Sequence, residues 1–401
     1  MYDYIIVGGG IIGLSTAWQL QQQKPEAAIL LLEKEPRVAA HQSGRNSGVL
    51  HAGIYYTPGS LKAKFCKEGV EATIAFCKEH DIPVEQCGKL VVATDAAEYE
   101  RMLTLFERAI ENGLDVKLLS SEELREREPN IVGTGAIYVA TTGIADYPRI
   151  CEQFASNLIA LGGEVRFDSE VAVIEEDAEA VVVSFSDGST VSSKYLIACG
   201  GLMADRLATM QGIDIDFKII PFRGEYFQLP ADKYDIVKHL IYPIPKPNMP
   251  FLGVHLTRMI DGSVTVGPNA VPGWKREGYG RVNFNLKEVI SMLAFPGYWR
   301  IMFANFRTGL CEIWDSIYKR GYLKRIQAYC PSLSVNDLRP YPTGVRGMAV
   351  RRDGTMIDDF LFVETQRSLH VCNAPSPAAT SAIPIGRHIC SKVLDSRSMR
   401  T

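Results

Sequence analysis

The stretch that decides the fold is residues 2–21, YDYIIVGGGIIGLSTAWQLQ. The apolar run from Tyr4 to Val7 is short enough for a strand buried in a parallel sheet. Gly8, Gly10 and Gly13 come next in the spacing G-x-G-x-x-G, and an apolar helix is predicted from Ile11 and Ile12 to about Gln22. A second apolar run, Ile29 to Leu32, leads into Glu33 and Lys34, with Glu33 twenty residues beyond Gly13. Strand, glycine turn, helix, strand and acid in this order predict a βαβ unit that binds a dinucleotide. Gly8 permits the tight turn, Gly10 lets backbone approach a pyrophosphate, and Gly13 lets helix and strand pack closely. The helix N-terminus presents N–H groups and partial positive charge to phosphates. The Glu33 carboxylate suits a ribose hydroxyl pair and repels a 2′-phosphate. None of this chooses between a nicotinamide and a flavin dinucleotide.

Composition bounds the rest. A chain of 401 residues can bury a large core and is expected to divide into two domains. A net charge of −3 gives no reason to expect nucleic acid as a partner. The nine cysteines are scattered without a C-x-x-C pair, which suggests reduced thiols in a cytoplasmic setting rather than a disulfide framework or a zinc site. The N-terminus enters the first strand directly, so no secretory signal is expected. No run reaches the ~18 apolar residues of a spanning helix.

The residues after Glu33 distinguish the cofactors. Instead of further alternating strands and helices, the chain gives a long polar loop that ends in SGRNSGVLHAGIYY, residues 43–56. Its S-x-R-N-S-G segment resembles the one that runs along the pyrophosphate, ribityl chain and flavin in glutathione-reductase-like flavoproteins, which implies FAD. Ser43, Arg45, Asn46 and Ser47 are the expected donors, and Gly44 and Gly48 allow backbone contact. The apolar strand Tyr195–Cys199 with Gly200 and Gly201 is similar to the segment that returns beneath the FAD, and Val171 falls where such a backbone meets the adenine. Near the C-terminus, a turn containing Ser376, Pro377, Ala378, Ala379 and Thr380 precedes a helix whose N–H groups are expected at the flavin. The expected fold is α/β: a discontinuous, glutathione-reductase-like Rossmann FAD domain (1–80, 143–213, 336–401) with a mixed-sheet α+β substrate domain (81–142, 214–335).

The segments SGRNSGVLHAGIYY, PFRGEY, LGVHLTR, VGPNA, DDF and NAPSPAATSA together resemble the L-2-hydroxyglutarate dehydrogenase/oxidase group of the D-amino-acid-oxidase-like flavoproteins. The resemblance spans nearly the whole chain. It implies FAD-dependent oxidation of L-2-hydroxyglutarate to 2-oxoglutarate, with electrons passed to a quinone or another acceptor. An amino-acid or amine oxidase on the same fold, using oxygen, is the alternative, because fold does not fix substrate.

Such a reaction needs a base for the hydroxyl proton and cations for the carboxylates. His255 and His51 are the candidate bases, since an unperturbed imidazole titrates near ~6.5; His41 reads as structural. Arg346 and Arg223 are candidate carboxylate anchors because the guanidinium fork binds bidentately. Tyr55, Tyr226, Tyr242 and Thr257 offer hydroxyls, and Asn269 adds an amide. Residues 285–325 combine Phe295, Tyr298, Trp299, Phe303, Phe306 and Trp314 with Arg300, Arg307, Lys319, Arg320, Lys324 and Arg325. That mixture suits either helices packed on the substrate domain or a peripheral contact with the cytoplasmic face of a membrane.

Overall fold

The computed structural model describes residues 1–246, 253–280, 283–306, 309, 314 and 318–398. The apolar runs of the opening motif become β1 (Tyr2–Val7) and β2 (Ile29–Leu32), joined by helix α1 (Ile11–Gln23). Both strands are buried on both faces, which is why they read as continuous apolar runs rather than alternating ones. α1 stops at Lys24, just before Pro25, where the chain cannot continue as helix.

Around β1 and β2 a parallel sheet is completed by β9 (Glu164–Arg166), β12 (Thr190–Ala198) and β20 (Ser368–Asn373). β10 (Val171–Glu176) and β11 (Val181–Phe185) extend it antiparallel beside the first half of β12, and β19 (Leu361–Glu364) pairs with β20. Alternation along β1 sorts the core. Tyr4 and Ile6 face a helical layer, in which α1 packs on α5 (Tyr147–Ala160) and α10 (Ala382–Ser398). Ile5 and Val7 face Val171, Ile174 and, from α6 (Ala204–Met210), Leu207 on the other side. α2 (Leu61–Glu79) joins the helical layer; it starts at Ser60, whose hydroxyl accepts from the Ala63 amide.

The second sheet has nine strands among the described residues. Its main path runs β17 (Val271–Pro272), β13 (Phe217–Gln228), β16 (Val264–Gly267), β15 (His255–Arg258), β14 (Leu240–Pro243), β5 (Lys89–Ala93), β7 (Gly135–Val139), β6 (Val116–Ser120). All pairs are antiparallel except β14–β5. β18 (Arg339–Arg351) pairs with β13 over nearly its whole length. This stretch, expected with the last FAD segment (336–401), satisfies its backbone hydrogen bonds on the second sheet. A three-stranded sheet of β3 (Val49–Leu50), β8 (Gly143–Ala145) and β4 (Val84–Glu85) lies after the polar loop. α3 (Ala96–Glu111) covers β5 and β7 with Met102, Leu105 and Ala109. α4 (Ser121–Arg127) and α9 (Lys319–Gln327) add Leu124, Tyr322, Leu323 and Ile326 to the core beneath the same sheet.

α7 (Leu286–Leu293) and α8 (Pro296–Ala304) pack Met292, Phe295, Tyr298 and Ile301 against Ile220, Phe222 and Val350. Phe295 and Tyr298 are therefore core residues, which fits the packed-helix alternative for these two positions. Arg307 lies outside the described residues.

Candidate active site

A cavity of about 860 Å³ opens between the two large sheets, within the size range of cofactor and substrate sites. One end is the glycine turn. Gly8 has φ +114°, and a Cβ there would meet the Cys199 carbonyl oxygen at 2.5 Å, so only glycine fits. A Cβ on Gly13 would sit 2.0 Å from the Gly8 oxygen, which is the close helix–strand approach expected of it. Gly10, Ile11 and Ile12 line the cavity, and α1 carries no acid in its first turn. These donors and the positive helix end suit a pyrophosphate.

Glu33 lies behind this turn rather than in the cavity wall. Its carboxylate accepts from the Gly9 amide at 2.7 Å and the Glu35 amide at 2.9 Å. It thus braces both sides of the turn while lone pairs remain for a ribose hydroxyl. Replacing Glu33 with Ala removes acceptors worth roughly 1.5–3 kcal/mol each where a charge is involved. The FAD-to-protein ratio of purified Glu33→Ala is expected to fall well below that of the parent chain, read from flavin released on denaturation.

The four expected donors of the polar loop, Ser43, Arg45, Asn46 and Ser47, all line the cavity, and three of them also make contacts within the protein. Ser43 lines the cavity, and its hydroxyl accepts from the Ile11 amide at 2.9 Å. Asn46 also ties the loop together: its Nδ2 donates to the carbonyls of Gln42 and Ser43, and its Oδ1 accepts from the Gly48 amide. Arg45 stacks over the Tyr279 ring at 3.7 Å and donates to the Ala40 carbonyl. Lys34 is paired with Glu277, and His41 bridges Glu35 and Tyr279, a structural role. Gly44 packs on the Ala39 carbonyl. Ser47, Gly201 and the 376–380 turn line the cavity; Gly48, Val171 and Gly200 do not. α10 begins at Ala382, directly after that turn. Thr380 accepts from the His51 amide at 3.1 Å and faces the Tyr147 hydroxyl, so it positions the His51 backbone.

The other end of the cavity is built by the second sheet. The antiparallel pairing of β14 with β15 brings Tyr242 beside His255, and their rings stack at 3.9 Å and 11°. His255 Nδ1 lies 2.9 Å from the Thr257 hydroxyl, and Thr257 is 1% exposed and outside the cavity lining. Thr257 therefore orients His255 instead of meeting substrate. His51, Tyr55, Tyr226, Arg223, Asn269 and Arg346 all reach the cavity. Arg223 is already paired with Glu225 at 3.7 Å, and Asn269 donates to the same carboxylate.

Neither histidine titrates like a solvated imidazole. Burial, then the charges of Lys89 and Arg346, push His51 down to about 3. Burial, then His51, Lys89 and Arg346, hold His255 well below the usual range. Both are neutral at physiological pH and can accept a proton, though each is a weaker base than the sequence reading assumes. Lys89 carries no signal of its own in the sequence. Nor do Tyr279 and Gln42, whose Oε1 accepts from the Gly347 amide.

The chain matches the model of FAD-dependent oxidoreductases over residues 3–392. It is 55% identical over 393 residues to an L-2-hydroxyglutarate dehydrogenase of Escherichia coli O17:K52:H18, covering 98% of this chain and 93% of that one. It is 43% identical to an L-2-hydroxyglutarate dehydrogenase of Indibacter alkaliphilus, covering 98% and 99%. Among solved structures, the FAD-bound L-alpha-glycerophosphate oxidase of Mycoplasma pneumoniae superposes with a TM-score of 0.79 at 23% identity, covering 98% and 94%. A glycine-built cradle that admits no Cβ, a helix end aimed into a cavity of cofactor size, and a match along almost the entire chain agree: the protein belongs to the family of FAD-dependent oxidoreductases.

Proposed function

We propose that the chain oxidises L-2-hydroxyglutarate to 2-oxoglutarate and delivers the electrons to an acceptor. The observation that carries this is the 55% identity, over nearly the full length, to a relative with that activity. The chemistry of the pocket supports it. Bound FAD supplies the two-electron oxidant for the alcohol carbon. Gly10, Ile11, Ile12, Ser43 and the 376–380 turn would hold it, by their places in the cavity wall. His51 or His255 accepts the hydroxyl proton, each being neutral and beside the same cavity. Arg346 holds the carboxylate next to the reacting carbon, since its charge is felt by both histidines and by Tyr226 and Tyr242. Tyr242, stacked on His255, closes one face of that ring against water. We also assign the first sheet with its helices to FAD and the second, β18 included, to the substrate.

The test is an anaerobic screen that follows the absorbance of bound FAD. L-2-Hydroxyglutarate should bleach it, while L-amino acids and glycine leave it unchanged. Bleaching by an amino acid but not by the hydroxy acid would favour an amine oxidase instead.

A membrane surface is the proposed site of electron delivery, with a lipid-soluble quinone as acceptor. No helix among the described residues is long and apolar enough to cross a bilayer. α7 and α8 nevertheless turn a second apolar face outward: Leu286 is 61% exposed, Ile290 58% and Phe303 70%, with Trp299 and Phe306 beside them. Lys287 and Arg300 flank this face, as suits anionic headgroups. The protein should co-sediment with vesicles containing phosphatidylglycerol at low salt. Trp299→Ser combined with Phe303→Ser should reduce binding about a hundredfold or more, given ~1.5–3 kcal/mol per large apolar side chain. Equal sedimentation with and without vesicles would remove the proposal.

A further inference from the structure

Lys89 is the most unusual charge in the molecule. It is 0% exposed, and its Nζ has no hydrogen-bond partner among the described residues. It opens β5, paired with Leu240, so the alternation of the sheet puts it within reach of the wall that carries Tyr242 and His255. Its Nζ lies 4.9 Å from the ring centres of both Tyr55 and Tyr242. The Tyr55 hydroxyl is likewise buried and without a partner among the described residues. Two donors thus lie together, Tyr55 in the cavity wall and Lys89 behind its ring, and neither has an acceptor among the described residues.

The groups around Lys89 cannot neutralise it. Burial pushes the Cys66 thiol of α2 up to about 12, so it is no thiolate at neutral pH. His51 and His255 are neutral, and Arg346 is a further cation. Tyr55 and Tyr242 are raised by burial and remain phenols. An unpaired buried charge destabilises a fold, and an apolar side chain of similar volume would cost less. An anion in the cavity would accept from the Tyr55 hydroxyl and offset the Lys89 charge behind it.

We propose that Tyr55 and Lys89 form the subsite for the substrate carboxylate remote from the hydroxyl, Tyr55 donating to it from the cavity wall and Lys89 supplying the buried positive charge behind the ring. Lys89 is then a positioning residue that acts through Tyr55. The cation over the ring face makes the phenol a stronger donor. Arg346 and this subsite together match the two charges of a dicarboxylate, whereas Arg223 is already offset by Glu225. This rests on the hydroxy-dicarboxylate reading above, so the test includes a probe that needs no turnover.

Lys89→Met, Lys89→Arg and Tyr55→Phe are purified with FAD, and glutarate binding is followed by perturbation of the FAD spectrum from pH 6 to 10. Lys89 titrates at about 8 when no anion is present, because burial lowers it. The parent chain should therefore bind glutarate tightly below pH 8 and progressively less above it, as the ammonium is lost. Lys89→Met should bind it roughly 30-fold or more weakly near neutrality, the scale of a lost buried charge partner, with no step near pH 8. Lys89→Arg should keep most of the affinity and lose the step. In turnover, Lys89→Met and Tyr55→Phe should raise KM for L-2-hydroxyglutarate with little change for L-2-hydroxybutyrate. Lys89→Met should also melt higher than the parent. Parent-like glutarate affinity and pH dependence in an FAD-loaded Lys89→Met chain would overturn the subsite, as would equal losses for mono- and dicarboxylates. Failure of the parent to oxidise L-2-hydroxyglutarate while glutarate binding keeps its Lys89 dependence would overturn the activity and leave the subsite standing.

Discussion

Removing the proton acceptor lowers the rate at which substrate bleaches bound FAD by about 10²–10⁴-fold, the usual loss for one general base. His51→Ala and His255→Ala are both expected to slow this step in anaerobic stopped-flow, with the full loss in the one that takes the hydroxyl proton. The other should show the smaller effect of a disturbed neighbour, since each histidine lies in the field of the same two cations. Parent rates in both variants would place the base elsewhere. The pH dependence has a definite sign. A neutral imidazole is the active form, and both rings are held well below their ordinary range. The acid limb of kcat/KM should thus lie well below the ~6.5 of a solvated imidazole. Stability moves in step with it. The unfolded imidazoles bind protons below about 6.5 while the folded ones do not. Their contribution to stability is complete above that pH and is lost as pH falls through it toward the folded values.

Arg346→Met should cost roughly 2–5 kcal/mol of substrate binding, or about 30-fold upward in KM. The loss should be similar for L-2-hydroxyglutarate and L-2-hydroxybutyrate, because both carry the carboxylate beside the hydroxyl. That pattern is opposite to the one expected at Lys89, so the two cations can be told apart by substrate alone. Lys in place of Arg346 should recover only part of the affinity, since a point charge cannot make the paired contact. A KM within about twofold of the parent in Arg346→Met would exclude it as the anchor, since a lost charge partner costs far more.

The βαβ unit is readable because its geometry tolerates so few residues. A positive φ at Gly8 and a 2.0 Å approach at Gly13 leave glycine as the sole fit, and the spacing carries that constraint into the sequence. The polar loop is only half readable. Its composition marks close contact with a cofactor, yet a hydroxyl or amide does not say whether it serves the ligand or the loop. Ser43 caps α1 and Asn46 ties the loop to itself. Thr257 looks like a substrate donor because it lies two residues from His255 on the same face of a strand. Only the ring position shows that the two bond to each other. Lys89 is invisible for a related reason. At the start of an apolar strand, GKLVVA, a lysine reads as a solvated edge, and its burial depends on β14, which is more than a hundred residues away. The partner of β18 is hidden for a similar cause: pairing between distant strands leaves no local periodicity to read.

The placement of β18 bears on how the chain is born. Synthesis is vectorial, and Arg339–Arg351 emerges more than a hundred residues after the β13 edge that it covers. Until then β13 holds a long unpaired edge, and the first sheet lacks the strand that seats beside β12. Open edges of this kind recruit other chains. The nascent protein therefore carries an aggregation hazard until β18 is made, while the flavin cradle formed by the first residues waits for its far wall. Interrupting synthesis between β13 and β18 should therefore lower the yield of soluble protein without changing the stability of the finished molecule.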